Sequence, residues 1–205
     1  RLVELVVRRD RLVPEAQPGM PGLGAVYDVL TVDWLLLSHP LGSFRPDRMR
    51  LPGQTHPGLG IGERVLEILY RMVERLRLDG LFTVADHFHN AVLYRRELPF
   101  WDPAADGQLH ALQDLLLEKE KLSLAQASWA VEWGFVRCAD DSPFVWHGEG
   151  QLRAMNAELR AWIGSPAYQE RAERTRQHAR YTLARAWLDE RWAAEKDALL
   201  EPAAP

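Results

Sequence analysis

A single cysteine, Cys138, stands in the 205 residues, which excludes an internal disulfide. No charged-then-apolar segment opens the chain as an export signal would, so a reducing cytoplasm is the expected compartment. The chain begins at Arg1 rather than at a methionine, which leaves room for a missing amino terminus. Long apolar runs are absent too. The longest, around Trp34-Leu35-Leu36-Leu37, falls far short of the ~18 uncharged residues of a spanning helix, and no membrane partner is expected. Nor is there an excess of positive charge: Lys+Arg is 25 against Asp+Glu 29, a formal net charge of −4, so nothing draws the chain as a whole to nucleic acid. What is present is 47% hydrophobic and 26% charged residues, the proportions of a globular protein rather than a disordered or repetitive one. The length suits one large domain or two small ones.

The first half alternates strand and helix signals, whereas the second reads as almost wholly helical; together they predict an α+β fold. Leu2 to Val7 reads as a strand, followed by a Pro/Gly-rich connection from Pro14 to Gly24. A second strand covers Val26 to Leu37, with an end so continuously apolar that burial on both faces is expected. Ser38 to Gly60 then forms a long irregular excursion rich in Pro and Gly, of a length that tends to carry function. From Glu63 the positions Val65, Ile68, Leu69, Met72, Val73 and Leu76 recur at helical spacing with Arg and Glu on the other face, and Asp79-Gly80 supplies a stop before a short strand, Leu81 to Val84. Strand, glycine-rich loop, helix and strand in this order predict a parallel crossover. A short helix is expected over His87 to Arg96, and Leu98 to Trp101 as a further strand.

In the second half, Asp102-Pro103 opens a helix striped by Leu109, Leu112, Leu115 and Leu116, and Ser123 with Gln126 forms a capping box for a helix ending at Gly134. Leu152, Met155, Leu159 and Trp162 make another helical stripe closed by Gly164. A last helix is expected from Ser165-Pro166 to about Leu200, with a seam of Tyr168, Ala172, Thr175, Ala179, Thr182 and Ala186 suited to close packing on another helix, in this chain or in a second copy. Glu201 to Pro205 reads as a frayed tail. The division expected is a core over residues 1–104 and a helical extension over 105–205.

Chemistry gathers at two places. Gly58-Leu59-Gly60-Ile61-Gly62 runs straight into the strongest helix, so unpaired N–H groups backed by the helix dipole face one point, as an anion site for phosphate or pyrophosphate requires; the alternative is a tight turn feeding a helix. No Lys-Ser/Thr follows the glycines as a P-loop needs. The second place is Asp86-His87-Phe88-His89 with His56 nearby, residue types that ligate zinc or iron or act as general bases; on one helix His87 and His89 would point roughly 200° apart.

The strand Leu30 to Leu37, the loop Gly58 to Gly62, the helix Glu63 to Leu78, Asp79-Gly80, the strand Leu81 to Ala85 and then His89-Asn90-Ala91-Val92-Leu93-Tyr94 before Leu98-Pro99-Phe100 resemble the core of the GNAT superfamily of acyl-CoA-dependent acyltransferases, over roughly residues 26 to 102. The resemblance implies a GNAT-like mixed sheet with crossover helices, and acetyl-CoA or another acyl-CoA held through its pyrophosphate by Gly58, Leu59, Gly60, Ile61 and Gly62. It also implies that the strand before the loop splays from the next to admit the pantetheine arm, with Tyr94 as general acid and Asn90 facing the same cleft. Under acyl transfer, Asp86, His87 and His89 are the base candidates for a small-molecule amine, and no metal is expected.

Three functions follow. The leading one is acyl transfer from acyl-CoA to an amine. The second is a non-catalytic GNAT-like scaffold that forms a homodimer through its last helices. The third is a metal-dependent hydrolase using His56, Asp86, His87 and His89. Ser123, Ser128 and Cys138 have no His and Asp arrangement for nucleophilic catalysis. The tryptophans, among them Trp129, Trp133, Trp162 and Trp187, fall at helical spacing and read as core; Arg45, Arg48 and Arg50 read as a solvated loop.

Overall fold

The computed structural model describes residues 2–14, 23 and 26–203. The chain is α+β, built on a four-stranded mixed sheet whose strands lie in the spatial order Val3–Leu12, Tyr27–Leu37, Gly80–Val84, Gly150–Ala154. Strand β1 (Val3–Leu12) pairs antiparallel with β2 (Tyr27–Leu37), with a bulge between Val6 and Val7. Helix α1 (Gly62–Leu76) carries the chain from β2 to β3 (Gly80–Val84), which lies parallel to β2. Most of the connection expected from Pro14 to Gly24 lies outside the described residues, as does the end of the tail. Helix α1 buries Leu69 and Val73 against Leu30 and Leu81 of the sheet, which is why its apolar stripe faces inward. It stops at Leu76 rather than at Asp79-Gly80: Arg77 takes the left-handed conformation (φ 54°), and the N–H groups of Arg77 and Leu78 close the last turn on Glu74 and Val73. Asp79 then pins the strand entry, accepting from the Asp28 N–H at 2.8 Å and from Asn156 Nδ2 at 2.9 Å.

After β3 come α2 (Phe88–Tyr94), α3 (Pro103–Gln113) with a π-helical continuation over Asp114–Lys119, and α4 (Leu124–Glu132). Asp102 caps α3 and the Ser123–Gln126 capping box opens α4, as expected. The strand expected over Leu98 to Trp101 is a single bridge, Phe100 to Gln151, beside the sheet edge.

The second half departs from the helical expectation. Leu152 belongs not to a helix but to β5 (Gly150–Ala154), which pairs antiparallel with β3 and supplies the fourth strand from beyond residue 104. Its apolar spacing runs on into α5 (Ala157–Ile163), capped by Asn156, so two elements share what reads as one stripe. The expected last helix is broken into α6 (Pro166–His178) and α7 (Arg185–Glu195). Between them, Thr182–Leu183 forms β6 on Val136–Arg137 (β4), and the Tyr181 hydroxyl accepts from Gln108 at 3.0 Å. The first part of the small-residue seam is spent inside the chain. Tyr168 and Ala172 are buried, and α3 approaches so closely at Gly107 that a Cβ there would lie 2.0 Å from the Ala172 carbonyl oxygen. Thr182 and Ala186, by contrast, are exposed. Of the tryptophans, Trp162 is core, Trp129 and Trp133 are half-buried, and Trp187 is 55% exposed. No described helix is long and apolar enough to cross a membrane.

Candidate functional site

The register of the sheet creates the site. Strand β2 pairs with β3 only from Val29 to Val32, against Gly80 to Thr83, and then continues to Leu37 with β1 alone. Thr83 Oγ1 donates to the Val32 carbonyl at 3.3 Å, at the point where the two strands part. The expected double burial of the β2 end is therefore not found: Leu35, Leu36 and Leu37 are half-buried and Trp34 is 52% exposed, because the edge facing β3 opens onto a cavity.

That cavity has a volume of about 350 Å³. Asp33 to Leu37 of β2 form one wall, and Leu66 and Leu69 of α1 another. Leu81, Thr83 and Val84 of β3 lie opposite, with α2 contributing His89, Asn90, Leu93 and Tyr94. Pro52 to His56 of the long excursion close a further side. Asp86, His87, Gly58 and Gly62 also border it, so of the site residues expected from sequence only Leu59, Gly60 and Ile61 stand off the wall.

The five loop residues divide into two roles. Gly58 bridges Ser38, and the Leu59 N–H donates to the Leu37 carbonyl at 3.4 Å, so the start of the loop is tied to the end of β2. Beyond it, Gly60 turns the chain with φ 73° in open space, and Ile61 caps α1 with no side-chain acceptor. The first intrahelical bond runs from the Val65 N–H to the Ile61 carbonyl. Among the described residues, the amides of Gly60, Ile61, Gly62, Glu63 and Arg64 meet no protein acceptor.

At the other end, His87 lies just outside α2 in extended conformation, so its ring is not splayed from that of His89. The two stack with centroids 5.4 Å apart and planes 11° apart, correcting the expectation of opposed rings. Gly53, with φ 75°, packs on the His87 edge; a Cβ there would fall 2.4 Å from Nε2. Glu132 Oε2 stands 3.6 Å from His87 Nδ1. His89 is 3% exposed and its Nδ1 has no partner; burial, and then the neighbouring His87, push its pKa down to about 4. Burial, followed by the charge of Asp86, raises the pKa of Tyr94, so the phenol keeps its proton. His56 Nδ1 lies 3.1 Å from its neighbour Thr55 Oγ1. No group of three or more His, Cys, Asp or Glu among the described residues is arranged to hold a metal, which leaves the hydrolase reading without its ligand set. Arg45 pairs with Asp47 at 3.2 Å, and neither it nor Arg48 nor Arg50 borders the cavity.

Glu132, Gly53 and Asp33 escaped the sequence reading because each reaches the site from a segment with no motif of its own. Only the Pro/Gly density of the excursion hinted at a wall there. No family model matches the chain, and no curated protein or solved structure matches it either.

Proposed function

We propose that this protein transfers an acyl group from acyl-CoA to a small-molecule amine. The observation that carries the reading is the opening between β2 and β3, which the uncapped start of α1 reaches at Gly62 and which Tyr94 and His87 also border. A diphosphate suits the unpartnered amides there, which gather at a helix start where the dipole favours negative charge. The backbone of Asp33 to Leu36, without a partner strand on the β3 side, offers hydrogen bonds to the amides of a pantetheine arm.

The amine nitrogen attacks the thioester carbonyl, the carbon–sulfur bond breaks, the ammonium proton leaves to a base and the departing sulfur takes one up. Tyr94, held protonated, donates to the sulfur. Of the base candidates, His89 stays neutral down to about pH 4 and is too weak to take a proton from an ammonium group. His87 fits better: it borders the cavity, and Glu132 Oε2, 3.6 Å from its Nδ1, is placed to orient the ring. Asp86 at the rim supplies the charge that attracts a cationic amine.

Calorimetric titration of the full chain with CoA and acetyl-CoA tests the reading. Binding is expected, with a rise in Tm equivalent to ~2.7 kcal/mol at a hundred times Kd. Gly62→Glu has open space for its side chain and should weaken CoA binding at least ~10-fold while the helix start tolerates the acid. No heat and no Tm shift at millimolar CoA removes the reading.

A further inference from the structure

The inner end of the cavity carries information about the group that is transferred. Leu69 and Leu81 are fully buried and Leu98 is 1% exposed, yet all three border the cavity, so this end reaches the core between α1, β3 and α2. Leu66 extends the same wall outward along α1. No Lys or Arg borders the cavity among the described residues. On β3 the Thr83 hydroxyl already donates to the Val32 carbonyl. A polar group laid against these leucines finds no partner in their side chains, which buried polar groups avoid. Apolar cavities of even ~150 Å³ stay dry and take up apolar molecules.

Size narrows the guest further. At roughly 30 Å³ for each water-sized heavy atom, the volume of about 350 Å³ holds about a dozen such atoms, of which the sulfur end of the pantetheine arm takes several and the acyl group the rest. An acetyl group fills a small part of that space and a palmitoyl chain overruns it. We propose that the acyl group is an unbranched aliphatic chain of medium length, hexanoyl to octanoyl, lying against Leu66, Leu69, Leu81 and Leu98; the proposal rests on the acyl-CoA reading above. The polar pantetheine arm has the free backbone of β2 to bond with, and the leucine wall, which offers no hydrogen bond, is left to the chain.

The test is a calorimetric series on the full chain with CoA, acetyl-, hexanoyl-, octanoyl- and palmitoyl-CoA, and with 1-octanol as a probe lacking the diphosphate. Each buried methylene is worth about a fourfold gain in affinity at full burial. Octanoyl-CoA is expected to bind at least ~10-fold tighter than acetyl-CoA and palmitoyl-CoA no tighter than octanoyl-CoA. Leu66→Trp, or Leu66→Phe should the larger ring unfold the chain, is expected to erase the octanoyl advantage while leaving the affinity for CoA unchanged. Equal affinities for acetyl- and octanoyl-CoA, with CoA itself binding, overturn the chain-length proposal and leave acyl transfer standing. Binding of 1-octanol with no binding of CoA or any thioester overturns both, and traces the failure to the diphosphate corner. A gain that continues through palmitoyl-CoA also overturns the proposal.

Discussion

The helix starts of this molecule fall into two kinds. At α3, α4, α5 and α6 a side chain of the chain itself, Asp102, Ser123, Asn156 or Ser165, accepts from the first-turn amides. At α1 the cap residue is Ile61, which accepts nothing, and the helix begins beside the cavity. Helices α2 and α7 also lack a side-chain cap, but α1 alone among the three follows a glycine loop, where successive amides from Gly60 to Arg64 meet no protein acceptor among the described residues. Closed helix starts hold the fold together, and the open one leaves hydrogen-bonding capacity for a ligand. Stability and binding should therefore respond in opposite senses to changes at the two kinds.

The largest effect is expected in the closed region. Gly107→Ala sets a Cβ against the Ala172 carbonyl and forces α3 from α6, and a loss of about 3 kcal/mol in urea unfolding is expected despite the better helix propensity of alanine. A loss under about 1 kcal/mol would mean the seam is looser than described.

Acid comes next. His89 has a folded pKa of about 4 against an ordinary value of 6.5, so between those values the unfolded chain binds a proton that the folded chain does not. The sign is fixed: stability is full above pH 6.5 and falls on acidification towards pH 4, by an amount on the order of 2–3 kcal/mol. His110, lowered by burial and then by the charge of Arg95, adds in the same direction. His89→Gln should flatten the profile between these limits, and an unchanged profile would place the acid sensitivity elsewhere.

Smaller effects compare the caps directly. Ser123→Ala should cost about 1 kcal/mol at α4 with CoA binding unchanged. Ile61→Asp should do the reverse at α1, raising stability by about 0.5–1 kcal/mol while filling the amides and weakening CoA binding at least ~10-fold. A destabilised Ile61→Asp variant, or one that binds CoA as before, would erase the distinction between open and closed starts.

What was legible in the sequence was local. The stripe of α1, the Asp102 and Ser123 caps and the glycine loop each carry their signal within a few residues, and the structure realises them. The strand β5 was hidden because Gly150 to Ala154 is short and its leucine falls in phase with Leu159 and Trp162 of α5. The break between α6 and α7 contains neither Pro nor Gly; it arises from the pairing of Thr182 and Leu183 with β4 and from Tyr181 meeting Phe144 edge to face, with ring centroids 5.2 Å apart, contacts that no local pattern announces. At the site, the residues at 56, 86, 87, 89 and 94 that the sequence singled out all border one cavity. The stacking of His87 on His89 depended on a helix starting one residue later than expected, and the approach of Glu132 depended on where α4 packs. Both are tertiary facts.

Amide chemical shifts of the isotope-labelled chain, followed during titration with CoA, address the central claim directly. The account predicts large shifts at Gly60, Ile61, Gly62, Glu63 and Arg64, together with residues of the β2 edge from Asp33 to Leu36. Absence of change at these amides at saturating CoA, or changes confined to the helices of the second half, would contradict it.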